Sequence, residues 1–158
     1  MSRTIFSFLM LLVPLFAMGQ SADEYLDKAK DYLLHWQPDD AIIALDQCAL
    51  LSASDTAMLM TCLDYKAAAW CEKGDVWFFN EFGRQARDLW DEWQPDSEAS
   101  IPWISTSIDG CLAQIMNWCS DQPQDEQQRV REQARQMMAR TFGENSEHYQ
   151  SWLQGITE

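Results

Sequence analysis

The sequence YLDKAKDYLLHWQPDDAIIALDQCAL, residues 25–50, decides the fold of this chain. Apolar residues recur at helical spacing on both sides of the link Gln37-Pro38-Asp39, which interrupts the pattern. Each of the two predicted helices has one apolar face, made of Tyr25, Ala29, Tyr32, Leu33 and Trp36 in the first and Ala41, Ile42, Leu45, Cys48 and Ala49 in the second. Because neither face is stable in water, we expect the two helices to pack antiparallel against each other.

Helical periodicity also covers the rest of the chain, and no segment alternates apolar and polar residues as a strand does. Five further helices are predicted, at residues 56–73, 76–93, 102–120, 122–142 and 146–154. Residues 94–100 are expected to form a loop. The fourth of the seven helices carries the heaviest aromatic stripe, so we expect it to lie at the centre of the core. The predicted fold class is all-α.

Residues 1–19 are typical of a cleaved export signal. Arg3 precedes a short apolar run at residues 5–16, and Ala17 and Gly19 provide the small side chains expected before a cleavage after Gly19. The run is too short to span a bilayer comfortably. We therefore expect residues 20–158 to form a single secreted or periplasmic domain without stable membrane insertion, and an uncleaved N-terminal anchor is the alternative.

The chain is strongly acidic, with 25 Asp and Glu residues against 11 Lys and Arg residues and a formal net charge of −14. Nucleic acid is not an expected partner, because affinity for it depends on Lys and Arg side chains that neutralise phosphates. Anionic membrane surfaces are disfavoured for the same reason. The negative charge is compatible with a basic protein or peptide as partner, with a neutral ligand, or with a role in solubility alone.

Five cysteines are present, an odd number for an exported chain. Cys62 and Cys71 fall within one predicted helix, as do Cys111 and Cys119, and the helical rise separates the members of each pair by about 12–14 Å. Any disulfide must therefore join two different helices. Because Cys48, Cys62, Cys111 and Cys119 lie on apolar faces, we favour small buried hydrophobic side chains over disulfides.

Residues 25–50 also resemble a tetratricopeptide repeat. The residues that carry the resemblance follow the repeat's alternation of bulky and small side chains: Tyr25, Ala29, Tyr32, Ala41, Leu45 and Cys48. Small residues allow two helices to approach closely, and large residues fill the space beside the contact. Ala53 stands where the repeat usually has a proline.

Two later segments extend the resemblance in part. Positions of the second helix pair match at Ala67, Trp70, Gly74, Asp75 and Ala86, whereas Phe79 stands where a small residue is expected. Near the end of the chain, residues 143–153 resemble the opening of the kinesin-light-chain type of repeat, with Ser146-Glu147 in place of His-Pro. The resemblance implies antiparallel hairpins stacked as a short right-handed array, whose groove binds a protein or peptide.

Patterns for catalysis or metal binding are sparse. His35 and His148 are the only histidines, and neither has Cys or carboxylate neighbours at the spacing of metal ligands. Carboxylates pair at helical spacing, as in Asp27 with Asp31, but on polar faces that are typical of solvated surface charge. We therefore expect no catalytic residue, metal or cofactor, and a hydrolase using paired carboxylates is a further alternative.

Eight tryptophans are the least ordinary feature of the composition. Trp70, Trp90 and Trp152 lie on predicted core stripes. The other five lie at helix ends, in a first turn or off the main stripes: Trp36, Trp77, Trp93, Trp103 and Trp118. Aromatic side chains beside carboxylates are typical of a binding groove, so we predict these five as groove residues. The alternative is packing against a second neighbouring helix.

The leading prediction is an exported scaffold that binds a protein or peptide, without catalysis. A carbohydrate-binding module with tryptophan rings as sugar platforms is the alternative function. The last predicted helix carries Trp152 and Leu153, which need a surface to cover them. It is expected to cap the last helix pair, and a homodimer through residues 146–156 is the alternative.

Overall fold

The computed structural model describes residues 19–93 and 106–156, and these residues form helices and connections without any strand. The helices are α1 (Ala22–Leu34), α2 (Pro38–Leu51), α3 (Thr56–Lys73), α4 (Val76–Trp93), α5 (Ile108–Trp118), α6 (Gln124–Phe142) and α7 (Glu147–Gly155). The predicted all-α class with seven helices is confirmed. Within the same ranges, no helix has both the length and the apolar character needed to cross a membrane. Residues 1–18 of the predicted export signal and the predicted loop 94–100 lie outside them.

Side chains at the helix starts satisfy backbone amides that no helical carbonyl can reach. A capping box begins α1, where Ser21 Oγ accepts from the Glu24 amide at 3.2 Å and the Glu24 carboxylate accepts from the Ser21 amide at 3.3 Å. The helix predicted at residues 102–120 begins later, at α5, because Ser107 is extended and caps it by accepting from the Gly110 amide at 3.1 Å. Pro123 is the residue that precedes α6 at its N-terminal cap.

Gly74 ends α3 in the left-handed conformation that the Lys73-Gly74 pair predicts, with φ of 74°. A Cβ at this position would overlap the Thr141 hydroxyl and crowd Met137. The turn between α3 and α4 therefore packs directly against α6, and a side chain here would force the two apart.

The first three helices form an up-down-up unit with a covalent link. Ion pairs of Lys73 with Asp39 and of Lys66 with Asp46 show that α2 and α3 run antiparallel. Cys48 of α2 and Cys62 of α3 form a disulfide, with their Cα atoms 6.3 Å apart. Our preference for buried thiols was wrong for this pair, because the short link between α2 and α3 brings the two apolar faces into contact.

Helix α3 lies at the centre of the molecule, where it contacts α1, α2, α4, α5 and α6. Its buried side chains lie on nearly every side of the helix. The expectation that α4 is central was wrong, because α4 packs chiefly against α3. Only Phe79, Gly83 and Ala86 are buried on α4, and the other members of its stripe are half-buried or, at Trp93, exposed.

Helix α5 runs antiparallel to α3. The Tyr65 ring stacks on Trp118 with ring centroids 5.2 Å apart, while Cys71 Sγ lies 3.9 Å from the Ile108 carbonyl oxygen. In contrast, α1 is parallel to α3, because α2 is antiparallel to both. Stacked repeats related by a small rotation keep equivalent helices parallel. The first helices of the pairs α1–α2 and α3–α4 are parallel in this way. Helix α5, which follows them in the chain, runs antiparallel to α1 and α3.

Helix α7 closes the end of the fold. Tyr149 and Trp152 are 3% and 7% exposed and belong to the main hydrophobic cluster. His148 Nε2 lies 2.9 Å from Asp109 Oδ1 and so ties α7 to the start of α5. The chain itself covers the Trp152 ring, as a terminal cap requires. A homodimer through residues 146–156 stays a prediction, to be tested by size-exclusion chromatography.

Candidate binding surface

The tryptophans predicted to line a groove lie at separate places in the fold. Trp77 is 67% exposed at the start of α4 and Trp93 is 39% exposed at its end, so the helical rise separates them by about 24 Å. Trp36 is half-buried in the turn between α1 and α2, with a positive φ of 54°. Trp118 is half-buried at the end of α5. Trp103 lies outside the described residues.

Trp118 lines a cavity that the other described candidates do not share. Lys30, Leu34, Tyr65 and Trp118 surround a volume of about 230 Å³. We call these four residues the open flank of α3. The Tyr65 and Trp118 rings are nearly parallel, at 22°, and Lys30 Nζ lies 5.6 Å from the centroid of Tyr65. The cavity thus has aromatic and aliphatic walls and one cation at its edge.

Three helices that are not consecutive in the chain build the open flank. Lys30 and Leu34 are one turn apart on α1 and therefore point the same way. Tyr65 comes from the middle of α3, and Trp118 is the last residue of α5. The cavity lies where α1 and α5 both meet α3, so it depends on the orientation of α5.

The surroundings of the open flank are acidic. Asp27 Oδ1 lies 3.5 Å from Lys30 Nζ, and Asp27 and Asp31 are exposed on α1. Burial raises the pKa of the Tyr65 phenol, and the charges of Asp64 and Asp27 raise it further. The phenol therefore stays protonated at neutral pH and can donate a hydrogen bond to a ligand.

A second set of stacked rings lies on another side of α3, which we call the closed flank: Trp70, Phe78, Phe82, Lys66 and Lys73. Trp70 stacks on Phe78 at 4.3 Å and Phe78 stacks on Phe82 at 6.2 Å. The two lysines lie over the end rings, at 4.2 Å from Phe82 and 4.9 Å from Trp70, and both pair with aspartates of α2. Both lysines of the closed flank thus have an aromatic ring and a carboxylate as partners within the fold.

A cluster at the α7 end was the best candidate for hydrolytic chemistry. Asp109, Glu147, His148 and Ser151 line a depression of about 370 Å³. The side chains of His148 and Asp109 are 45% and 46% exposed. Carboxylates that act as a general acid need a pKa raised by a water-excluding site, which this depression does not provide. We therefore assign it the structural role of joining α7 to α5.

The remaining polar groups of the described residues lie mostly on the surface and do not form an enclosed site. His35 Nδ1 lies 3.6 Å from Asp31 Oδ1 on the surface, at the end of α1. In the part of the chain that the structure describes, no three His, Cys, Asp or Glu side chains converge as a metal site would need. The depressions along α6 are lined mostly by charged and amide side chains, which water solvates well.

Glu72 is a buried carboxyl on the same face of α3 as Tyr65, two turns further along. It is 1% exposed, and neither of its oxygens has a hydrogen-bond partner. Burial raises its pKa well above the ordinary value, the Cys111 thiol adds to the rise, and the Arg129 guanidinium opposes it. Along α3, the surroundings therefore change within two turns from a cavity beside Tyr65 to a fully buried interior around Glu72.

Lys30, Leu34 and Tyr65 were not among the residues predicted from the sequence. Tyr65 lies off the apolar stripe of α3, just as Trp118 lies off that of α5. Applying to tyrosine the criterion that selected tryptophans would have found it. Nothing in the sequence indicates that α1 meets α5, so the two α1 residues could not have been chosen.

In comparisons with protein-family models, with curated proteins and with solved structures, the chain matches none of them. The case for a function therefore rests on the open flank and on the charges around it.

Proposed function

We propose that this chain is an exported scaffold that binds a segment of another protein, or a peptide, and that the open flank holds the anchoring side chain. The observation that carries this proposal is the cavity between Tyr65, Trp118, Leu34 and Lys30. Its volume of about 230 Å³ is below the roughly 300–1,000 Å³ of sites that enclose a whole small molecule. A space of this size suits one apolar or aromatic side chain of a longer ligand.

The acidic charge around the cavity indicates which ligand residues lie next to the anchoring side chain. Asp27 pairs with Lys30 at the edge of the cavity, Asp31 is exposed on the same helix, and the chain carries a net charge of −14. Opposite charges steer association and select against partners of like charge. We therefore infer a ligand segment with Lys or Arg next to its apolar anchor, and an affinity that falls as ionic strength rises.

The tetratricopeptide resemblance supports a binding scaffold for α1–α4 only. These helices form two antiparallel pairs in which α1 and α3 are parallel, as in a stacked array. Helix α5 runs antiparallel to α3, and its last residue, Trp118, stacks on Tyr65 of α3. The binding site in this proposal is thus a cleft closed on one side by α5, in place of a continuous groove.

Peptide selection followed by titration tests the proposal. Peptides selected from a random displayed library against the full chain are expected to contain an apolar residue flanked by basic ones. Trp118→Ala should weaken their binding at least about tenfold, the loss typical of a buried aromatic anchor. Trp77→Ala is the matched control, because Trp77 is an exposed tryptophan of α4 that does not line the cavity. Peptide binding by this variant should be unchanged.

A carbohydrate-binding function has one observation in its favour, the 67% exposure of Trp77. An exposed indole face can serve as a platform for a sugar ring. A glycan array separates the two candidates: glycan binding that Trp77→Ala abolishes, without any selected peptide, would replace the peptide proposal. Equal losses of peptide affinity in the two tryptophan variants would also contradict it.

A further inference from the structure

Three cysteines remain outside the disulfide between α2 and α3, and two of them touch. Cys71 of α3 and Cys111 of α5 are both fully buried. The Cys111 thiol donates a hydrogen bond to the Cys71 sulfur, and the Cys71 thiol in turn donates to the Ile108 carbonyl oxygen at 3.9 Å. Ile108 lies one turn before Cys111 on α5, so the Cys71 sulfur lies beside the turn that carries Cys111, at the contact between α3 and α5.

Cys119 lies apart from this pair. It is eight residues beyond Cys111 on α5, which places it about 12 Å further along the helix. The groups that act on its pKa after burial are Glu72, Arg129 and Glu126, with no other thiol among them. Cys71 contacts Ile108 at the start of α5, whereas Cys119 follows the end of that helix, so Cys111 is the thiol beside Cys71.

We propose that Cys71 and Cys111 form a second disulfide, which joins α3 to α5 when the chain folds in an oxidising environment. The proposal stands on the adjacent positions of these two thiols and on the presence of a first inter-helix disulfide, Cys48–Cys62. The predicted export signal at residues 1–19 would deliver the chain to such an environment. The new bond encloses all of α4, a longer loop than the first bond encloses, so it should restrict the unfolded chain more strongly.

The oxidant is a disulfide, such as oxidised glutathione. One cysteine, as thiolate, attacks a glutathione sulfur to form a mixed disulfide and releases one reduced glutathione. The second cysteine loses its proton to water and attacks the protein sulfur of that mixed disulfide, which releases the second glutathione. Overall, two protein thiols lose two electrons and two protons, and one glutathione disulfide becomes two thiols.

Burial determines when this exchange occurs. Desolvation raises the pKa of the Cys111 thiol well above its ordinary value, and its hydrogen bond to Cys71 adds to the rise. Since the thiolate is the reactive form, the docked pair reacts slowly and no oxidant can reach it. The bond therefore forms before α5 settles on α3, and in the folded chain it resists soluble reductants.

Disulfide mapping tests the proposal. The full chain is reduced and unfolded, refolded in a mixture of reduced and oxidised glutathione, and alkylated after denaturation. Mass spectrometry of its peptides should show the links Cys48–Cys62 and Cys71–Cys111, with the alkyl group on Cys119 alone. Alkylation of both Cys71 and Cys111 in a chain that carries Cys48–Cys62 would overturn the proposal, as would a link from either residue to Cys119.

Two variants test the disulfide assignment further, and neither test depends on folding yield or on peptide binding. Cys119→Ala removes the odd thiol and should retain both links. Cys111→Ala should retain Cys48–Cys62, leave Cys71 open to alkylation and lower the concentration of urea at half-unfolding. Equal urea midpoints for the refolded parent chain and Cys111→Ala would count against a stabilising bond. Because these readouts involve no ligand, they do not depend on the proposed function.

Discussion

The open and closed flanks of α3 are made of similar groups but differ in what those groups contact. Each flank has stacked aromatic rings, a lysine within 6 Å of a ring and an aspartate beside the lysine. On the closed flank the lysines lie over the rings and pair with aspartates from another helix. On the open flank Lys30 pairs with Asp27 of its own helix, and a cavity remains between the rings and α1.

The difference follows from chain connectivity. Short links join α2 to α3 and α3 to α4, so their side chains meet in close, local packing. The open flank joins α1, α3 and α5, which meet only through the tertiary fold. Aromatic and charged composition alone therefore does not distinguish a binding cleft from a packed seam.

Phe79→Ala should have the largest effect, because the 2% exposed Phe79 ring holds α4 on α3. We expect a loss of about 3–5 kcal/mol in the free energy of unfolding, the usual cost of removing a buried phenylalanine. Tyr65→Ala, on the open flank, should cost clearly less. Urea unfolding followed by circular dichroism measures both. Equal losses would show that Tyr65 is packed as tightly as the core residue Phe79.

Glu72→Gln tests where the open flank ends. The folded pKa of Glu72 is raised above its unfolded value of about 4.3, so its contribution to stability is fully present below that pH and is lost as pH rises through the folded pKa. Glutamine does not titrate, so the variant should match the parent chain near pH 4. Near pH 8 it should be more stable by on the order of 1 kcal/mol.

Urea titrations across this pH range make the comparison. The charged and titratable groups that face Glu72 are Cys111 and Cys119 of the α5 region and Arg129 of α6. Glu132→Gln is the control, because Glu132 is exposed and its pKa is lowered to about 2 by hydrogen bonds from Arg135 and Gln136. Parallel pH profiles for Glu72→Gln and the parent chain would show that water reaches this carboxyl.

Lys66→Met should lower the free energy of unfolding by only about 0.5–1 kcal/mol. It removes a cation from the face of Phe82 and the partner of Asp46. Lys30→Met, its counterpart on the open flank, should leave stability nearly unchanged and instead alter the charge preference of selected peptides. Thermal melts at low and high salt compare the two variants. A larger stability loss for Lys30→Met would reverse the assignment of the flanks.

Much of the fold could be predicted from local patterns. The range 56–73 matches α3, and Gly74 ends that helix as its position beside Lys73 indicates. Ser21 and Glu24 have the spacing of a capping box and form one at the start of α1. These features depend on neighbours within one or two helical turns, so periodicity and capping chemistry are sufficient to find them.

The site was only partly predictable. Trp118 was identified because it lies off its stripe, but the same reasoning also selected Trp77 and Trp93, which the fold places at opposite ends of α4. The heaviest aromatic stripe, on α4, is not at the centre. An apolar stripe shows that one face of a helix is buried in the fold. It does not show how many neighbouring helices pack against that face.

By itself, the sequence determined seven amphipathic helices, their order and most of their ends, because hydrophobic periodicity and helix capping act over a few residues. Only the tertiary structure decided that α3 is central, that α5 runs antiparallel to it, and that Lys30, Leu34, Tyr65 and Trp118 enclose a cavity. The same antiparallel docking sets Cys71 against Cys111. Contacts between distant segments depend on how all the apolar faces are buried at once, and no local pattern records that choice.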